Sequence, residues 1–156
     1  MKSKRIAADD KAQVHVVILD TGEEAFAALT RFVRQSGISA ASLTAIGAFE
    51  RATVGWFDIA SKSYRKIEVG EQCEVLSALG DVADGDDGQP SLHVHVVLGL
   101  ADGSTRGGHL LAERPAAHPV DHADLVEPQA VAVVLGEEHP GVVDQIPADL
   151  RLVVRE

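Results

Sequence analysis

Three histidines, His93, His95 and His109, are the residues of this chain whose type and spacing suit joint chemistry. Imidazole offers a ring-nitrogen lone pair near neutral pH and is a common ligand of transition metals. His93 and His95 lie in SLHVHVVLGL (91–100), an aliphatic, β-branched run that reads as a strand. Strand side chains alternate faces, so both histidines project to one side while Val94, Val96 and Leu98 face a core. Their Cα atoms are expected roughly 6.5–7 Å apart. Two rings at that separation can converge on one ion at about 2.0–2.1 Å from each nitrogen.

His109 joins them only if the next segment folds back in a particular register. Ala101-Asp102-Gly103-Ser104 is a hairpin turn signal, and 105–112 returns as the partner strand. A two-residue turn at Asp102-Gly103 pairs residues whose numbers sum to about 205, which puts His109 opposite Val96 on the wrong face. A three-residue connection, or a one-residue bulge, shifts the sum to about 204 and brings His109 opposite His95. Gly103, Gly107 and Gly108 are available for either device. A metal site therefore demands an odd connection or a bulge. The bland alternative, three ordinary strand histidines, needs neither. Three neutral imidazoles suit zinc, with nickel, copper or iron also compatible, and they leave a fourth position for water, substrate or a carboxylate.

The elements around this hairpin follow from pattern. Residues 13–19 read as a strand. Thr21 and Glu24 match a capping box, and Phe26, Leu29, Phe32 and Val33 recur at helical spacing, so a helix is expected over about 22–36, stopped by Gly37. Strands are expected at 41–49, 52–59, 63–69 and 73–79. The acidic run Asp84-Gly85-Asp86-Asp87-Gly88 reads as a solvated turn, because a calcium loop would place His95 where a glutamate is required. Residues 113–129 hold three prolines and read as a long loop, with closing strands at 131–135 and 150–154. His118, His122 and His139 read as loop residues, and His15 on the first strand as exposed or as a supporting group. With no linker or repeat, residues 1–156 are read as a single domain.

Composition excludes several classes. Fourteen Lys and Arg face 24 Asp and Glu, a formal net charge of −10. Phosphate neutralisation supplies most nucleic-acid affinity, so direct DNA binding is disfavoured, and so is attachment to an anionic membrane surface. Lys2, Lys4 and Arg5 form the only basic cluster. Cys73 is the single cysteine, which rules out an intrachain disulfide and suits a cytoplasmic setting. In its apolar strand it reads as an inert core thiol. No signal peptide, transmembrane run, phosphate loop, dinucleotide fingerprint or nucleophile elbow is present.

The segments GISAASLTAIGAFERATVGWFD (37–58), EVLSALGDVA (74–83) and SLHVHVVLGLADGSTRGGHLLA (91–112) resemble the PPC domain, also called DUF296, shared by plants and prokaryotes. The resemblance implies an α+β fold with a curved, mostly antiparallel sheet, a packed helix and homotrimeric assembly. It also implies a metal site on His93, His95 and His109. Plant members carry AT-hook segments for DNA, and no such Arg-Gly-Arg hook occurs here; the stretch 113–129 departs from the family pattern. More distantly, His-x-His followed by Arg-Gly-Gly-His resembles the zinc hairpin of acetolactate decarboxylase. That likeness implies zinc acting on a keto-acid with arginine assistance, which makes Arg106 a candidate for binding a substrate carboxylate. Glu50, Glu71 and Glu74 are candidate acid/base groups. Three readings result: a zinc protein binding or sensing a small molecule, a zinc-dependent lyase or hydrolase for a small carboxylate, and a DNA-binding regulator.

Overall fold

The period-two alternation expected of SLHVHVVLGL is present residue by residue. Leu92, Val94, Val96 and Leu98 are buried, and His93, His95 and Val97 are exposed. The computed structural model describes residues 1–8 and 12–112. Their elements are β1 (Lys2–Ala8), β2 (Gln13–Ile18), α1 (Ala25–Gln35), β3 (Ala41–Phe49), β4 (Ala52–Asp58), β5 (Ser63–Val69), β6 (Cys73–Asp84), β7 (Pro90–Gly99) and β8 (Thr105–Leu110). The architecture is mostly antiparallel β-sheet with one short helix, so the α+β expectation gave the helical part more weight than it has. The expected loop at 113–129, the closing strands beyond it, and His118, His122 and His139 lie outside the described residues.

β1 and β2 form a two-stranded ribbon, and β1, read from sequence only as a basic cluster, is exposed along its length. The other six strands form one sheet in the order β3-β6-β7-β8-β4-β5. That order forces curvature. β3 and β4 are four strand spacings apart, about 19 Å on a flat sheet. Only Glu50 and Arg51 connect them, and three Cα steps reach roughly 11 Å. The sheet must curl until the two strands approach. Irregularities between Ala45 and Gly47 in β3, and between Val75 and Ser77 in β6, supply local bends.

α1 covers one face of this sheet. Ala25, Ala28, Leu29, Phe32 and Val33 join Leu43, Val54, Val75, Val94, Val96, Leu98 and Leu110 in one buried cluster. The helix starts later than its capping-box pattern suggests. Gly22 sits in the left-handed region (φ 79°) inside a turn closed by Glu23 N donating to Asp20 O at 3.2 Å, which a helix starting at residue 22 would not allow. Glu24 is the cap instead, its carboxylate accepting from Phe26 N at 3.1 Å and Ala27 N at 2.5 Å. At the other end Gly37 (φ 68°) stops the helix as expected, with Ile38 N donating to Val33 O at 3.1 Å.

Gly80 fixes how closely β6 and β7 approach. A Cβ there would run into the His93 carbonyl oxygen and lie 3.0 Å from Val94 Cα. Gly80→Ala is therefore expected to destabilise the fold by about 1–3 kcal/mol, the usual range for overpacking, measured by urea unfolding against wild type.

Candidate metal centre

The β7–β8 hairpin meets the demand set by the sequence through an odd connection. Leu100 N donates to Ser104 O at 2.9 Å, and Gly103 N donates to Leu100 O at 2.9 Å, leaving Ala101, Asp102 and Gly103 as the connection. Gly103 takes φ 80°, the left-handed position that a three-residue hairpin needs. The Asp102 carboxylate braces the turn by accepting from Ser104 N at 2.8 Å. From there the register runs without a break: Gly99 pairs with Thr105, Val97 with Gly107, and His95 with His109. On the far side His109 is paired with Gly55 of β4.

The three rings converge. Centroids lie 4.9 Å apart for His93–His95, 4.9 Å for His93–His109 and 5.3 Å for His95–His109. One nitrogen from each ring can be chosen so that all lie within 4.8 Å of one another. His93 Nε2 and His95 Nε2 are 3.1 Å apart. Two nitrogens on one tetrahedral ion at 2.0–2.1 Å would stand about 3.3–3.4 Å apart, so this pair is already near ligand spacing. His109 Nδ1 is buried and has no hydrogen-bond partner among the described residues. Burying an unpaired polar nitrogen is unfavourable. The donor set, neutral imidazoles alone, fits zinc and its neighbours rather than calcium or magnesium.

Aromatic and aliphatic side chains stand beside the cluster. Tyr64 packs on His109 with ring centroids 5.0 Å apart, and Phe57 packs on Tyr64 at 5.1 Å. Gly55 makes this possible, since a Cβ there would come within 2.7 Å of Tyr64 Cδ1. Leu79 stands opposite His95 and is 58% exposed; Val97, two residues beyond His95, is 44% exposed. Asp81 stands opposite His93, and its Oδ2 lies 3.3 Å from His93 Nδ1. The sequence reading ended this strand at residue 79 and missed Asp81. In the structure Gly85 N donates to Gln89 O, and that pairing extends back along both strands to Asp81 and His93.

Other candidates from the sequence are not brought here. Arg106 pairs with Leu98, whose side chain enters the core, while His109 is three residues on. An odd separation along a regular strand places side chains on opposite faces. Arg106 therefore leaves the sheet on the side away from the histidines, and its guanidinium donates to Thr105 O at 3.0 Å. Glu71 and Glu74 line a separate open pocket of about 320 Å³ with Cys73 and Gly99. Glu74 pairs with Gly99, four residues along β7 from His95, roughly 13 Å at strand rise. Glu50 is exposed between β3 and β4. Cys73 is buried, and burial pushes its thiol pKa up, as an inert core thiol requires. His15 packs edge-on against Phe32 at 5.5 Å, away from the cluster. The acidic run is the tight turn between β6 and β7.

A curled antiparallel sheet carrying His-x-His and a hairpin-partner histidine defines a class of domain, and sequence comparison assigns it. Residues 7–122 match the model of the Plants and Prokaryotes Conserved (PCC) domain, and the chain belongs to that family. A plant- and prokaryote-conserved (PPC) protein of Pyrococcus horikoshii has a similar structure, with TM-score 0.66 and 25% identity over 84% of each chain. A metal-containing protein of Archaeoglobus fulgidus is similar at TM-score 0.65 and 33% identity, over 90% of this chain and 89% of that one. A protein of Bacteroides thetaiotaomicron provisionally named for DNA binding shares the fold at TM-score 0.66 and 23% identity, over 89% of this chain and 84% of that one. No curated protein matches the chain in sequence.

Burial, and then the neighbouring His93 and His95, hold the His109 pKa below its ordinary 6.5. The unfolded chain thus takes up a proton at this residue before the folded one does. Its contribution to stability is unchanged at higher pH and falls as pH drops from about 6.5 through the lowered folded value. In the metal-free protein, a ¹H–¹³C titration of the histidine Cε1 signals should show His109 protonating below 6.5, with unfolding midpoints declining over the same window.

Proposed function

We propose that this chain is a metal-binding PCC-family protein that holds a divalent transition ion, zinc, on His93, His95 and His109 and takes a small molecule at the remaining coordination position. The observation that carries this reading is the convergence of three imidazole nitrogens within 4.8 Å from two strands of one hairpin. The metal content of the relative at 33% identity supports it. An ion here would supply Lewis acidity to whatever donor enters the open position. Three neutral imidazoles do not offset the charge of a divalent ion, so an anionic donor such as a carboxylate is the favoured ligand class. Phe57, Tyr64, Leu79 and Val97 would form the apolar wall around it.

Binding or sensing is favoured over lyase or hydrolase chemistry. Arg106 stands on the other face, and the glutamates proposed for acid/base work lie elsewhere along the sheet. The chain's negative charge argues against direct DNA binding. We further propose assembly as a homotrimer, supported by the family resemblance and by the exposed apolar side chains of this face. Among the described residues no helix is long and apolar enough to cross a membrane. The lone, buried cysteine is compatible with the reducing cytoplasm.

The test is metal content per chain, measured by ICP-MS on untagged wild type and a His93→Ala/His95→Ala double variant. Near-stoichiometric zinc in wild type, lost in the variant, is expected. Wild type that holds no metal after reconstitution would sink the reading. Sedimentation equilibrium on the same samples should give three times the 16.5 kDa chain mass.

A further inference from the structure

His93 differs from the other two histidines in what stands behind its ring. The β6–β7 register sets Asp81 directly across from it, and Gly80 next door lets the strands come close enough for contact. Asp81 Oδ2 lies 3.3 Å from His93 Nδ1. An ionised carboxylate can only accept, so this contact needs the proton on Nδ1. Nε2 then carries the lone pair and can accept, and it is the atom that faces His95 Nε2 at 3.1 Å. The two contacts use opposite ends of one ring, with the carboxylate behind and the cluster in front. Asp81 is not among the groups whose donor atoms gather within 4.8 Å, so its place is behind a ligand. His95 has Leu79 across from it on β6, and His109 has Gly55 across from it and Tyr64 against its ring.

We infer that Asp81 is the positioning residue of the metal centre. It fixes His93 in the Nδ1–H tautomer, aims Nε2 at the ion and makes that nitrogen a stronger donor. This rests on the metal reading above. Metal-ligating histidines commonly donate their second ring N–H to such a partner, and losing the partner typically weakens metal affinity about 10–100-fold.

Zinc and cobalt(II) affinities, measured by competition with a chromophoric chelator, test this on wild type, Asp81→Asn, Asp81→Ala and Asp81→Glu. Long-range ¹H–¹⁵N spectra of the zinc-free proteins read the His93 tautomer directly and involve no metal. The expected results are Nδ1–H at His93 in wild type, zinc bound about 10–100-fold more weakly by the Asn and Ala variants, and partial recovery with Glu. Unchanged melting of the zinc-free Asn variant would separate positioning from a general role in folding. Wild type that binds zinc while Asp81→Asn stays within about twofold of it would overturn the inference and leave the metal reading intact, as would an Nε2–H tautomer in wild-type His93. Wild type with no affinity for zinc or cobalt would overturn both.

Discussion

The register of three adjacent strands is the constraint on which the rest of this structure depends. β6, β7 and β8 are joined by two tight turns, and each turn fixes the pairing of the residues that follow it, in β6 as far as the irregularity at Val75–Ser77. One turn aligns His95 with His109, and the other aligns Asp81 with His93. Shifting either hairpin by one residue would turn a strand over, sending histidines toward the core and valines toward water. The buried residues oppose such a shift. Leu92, Val94, Val96 and Leu98 of β7 all belong to the buried core that α1 shares, and each is worth on the order of 1.5–3 kcal/mol when buried rather than exposed. The apolar side of the strand thus holds the site residues in place without contacting them.

The same logic explains why glycine recurs around the cluster. Gly80 lets β7 approach β6 beside His93, and Gly55 leaves room for Tyr64 to cover His109. Gly103 supplies the one backbone conformation that makes the connection odd. Each sits where a side chain would block an approach or a turn that the cluster requires. The curl of the sheet is enforced separately, by the short Glu50-Arg51 link between strands at distant positions in the order.

Much of this was legible in the sequence, and the failures have physical causes. Alternation alone put His93 and His95 on one face, and hairpin arithmetic reduced the third ligand to a choice between two registers. What sequence could not decide was the turn length, because Ala101-Asp102-Gly103-Ser104 suits a two-residue or a three-residue loop; the hydrogen bond from Leu100 to Ser104 decided it. Arg106 is close to His109 in sequence, but three residues along a strand is an odd separation and puts the two side chains on opposite faces. Thr21 failed as a cap because Gly22 adopts a left-handed turn conformation that the capping pattern does not encode. Asp81 was missed because the strand was ended too early, at the point where its alternation becomes polar on the exposed side.

A site built on paired strands differs from one built on loops in what an arriving ion must do. The backbone positions of all three histidines are set by ladder hydrogen bonds and by a core they do not join. Only ring torsions remain to be ordered, and the ring contacts between the histidines and with Tyr64 already restrict those. Little conformational entropy is then lost on binding, which is the physical content of preorganisation. Desolvation works in the same direction at His109, because burial favours the neutral imidazole, the form that offers a lone pair. His93 Nε2 and His95 Nε2 already stand 3.1 Å apart, close to the spacing of two nitrogens on one tetrahedral ion. Solvent is available on the open side, and the three rings nonetheless converge on one another.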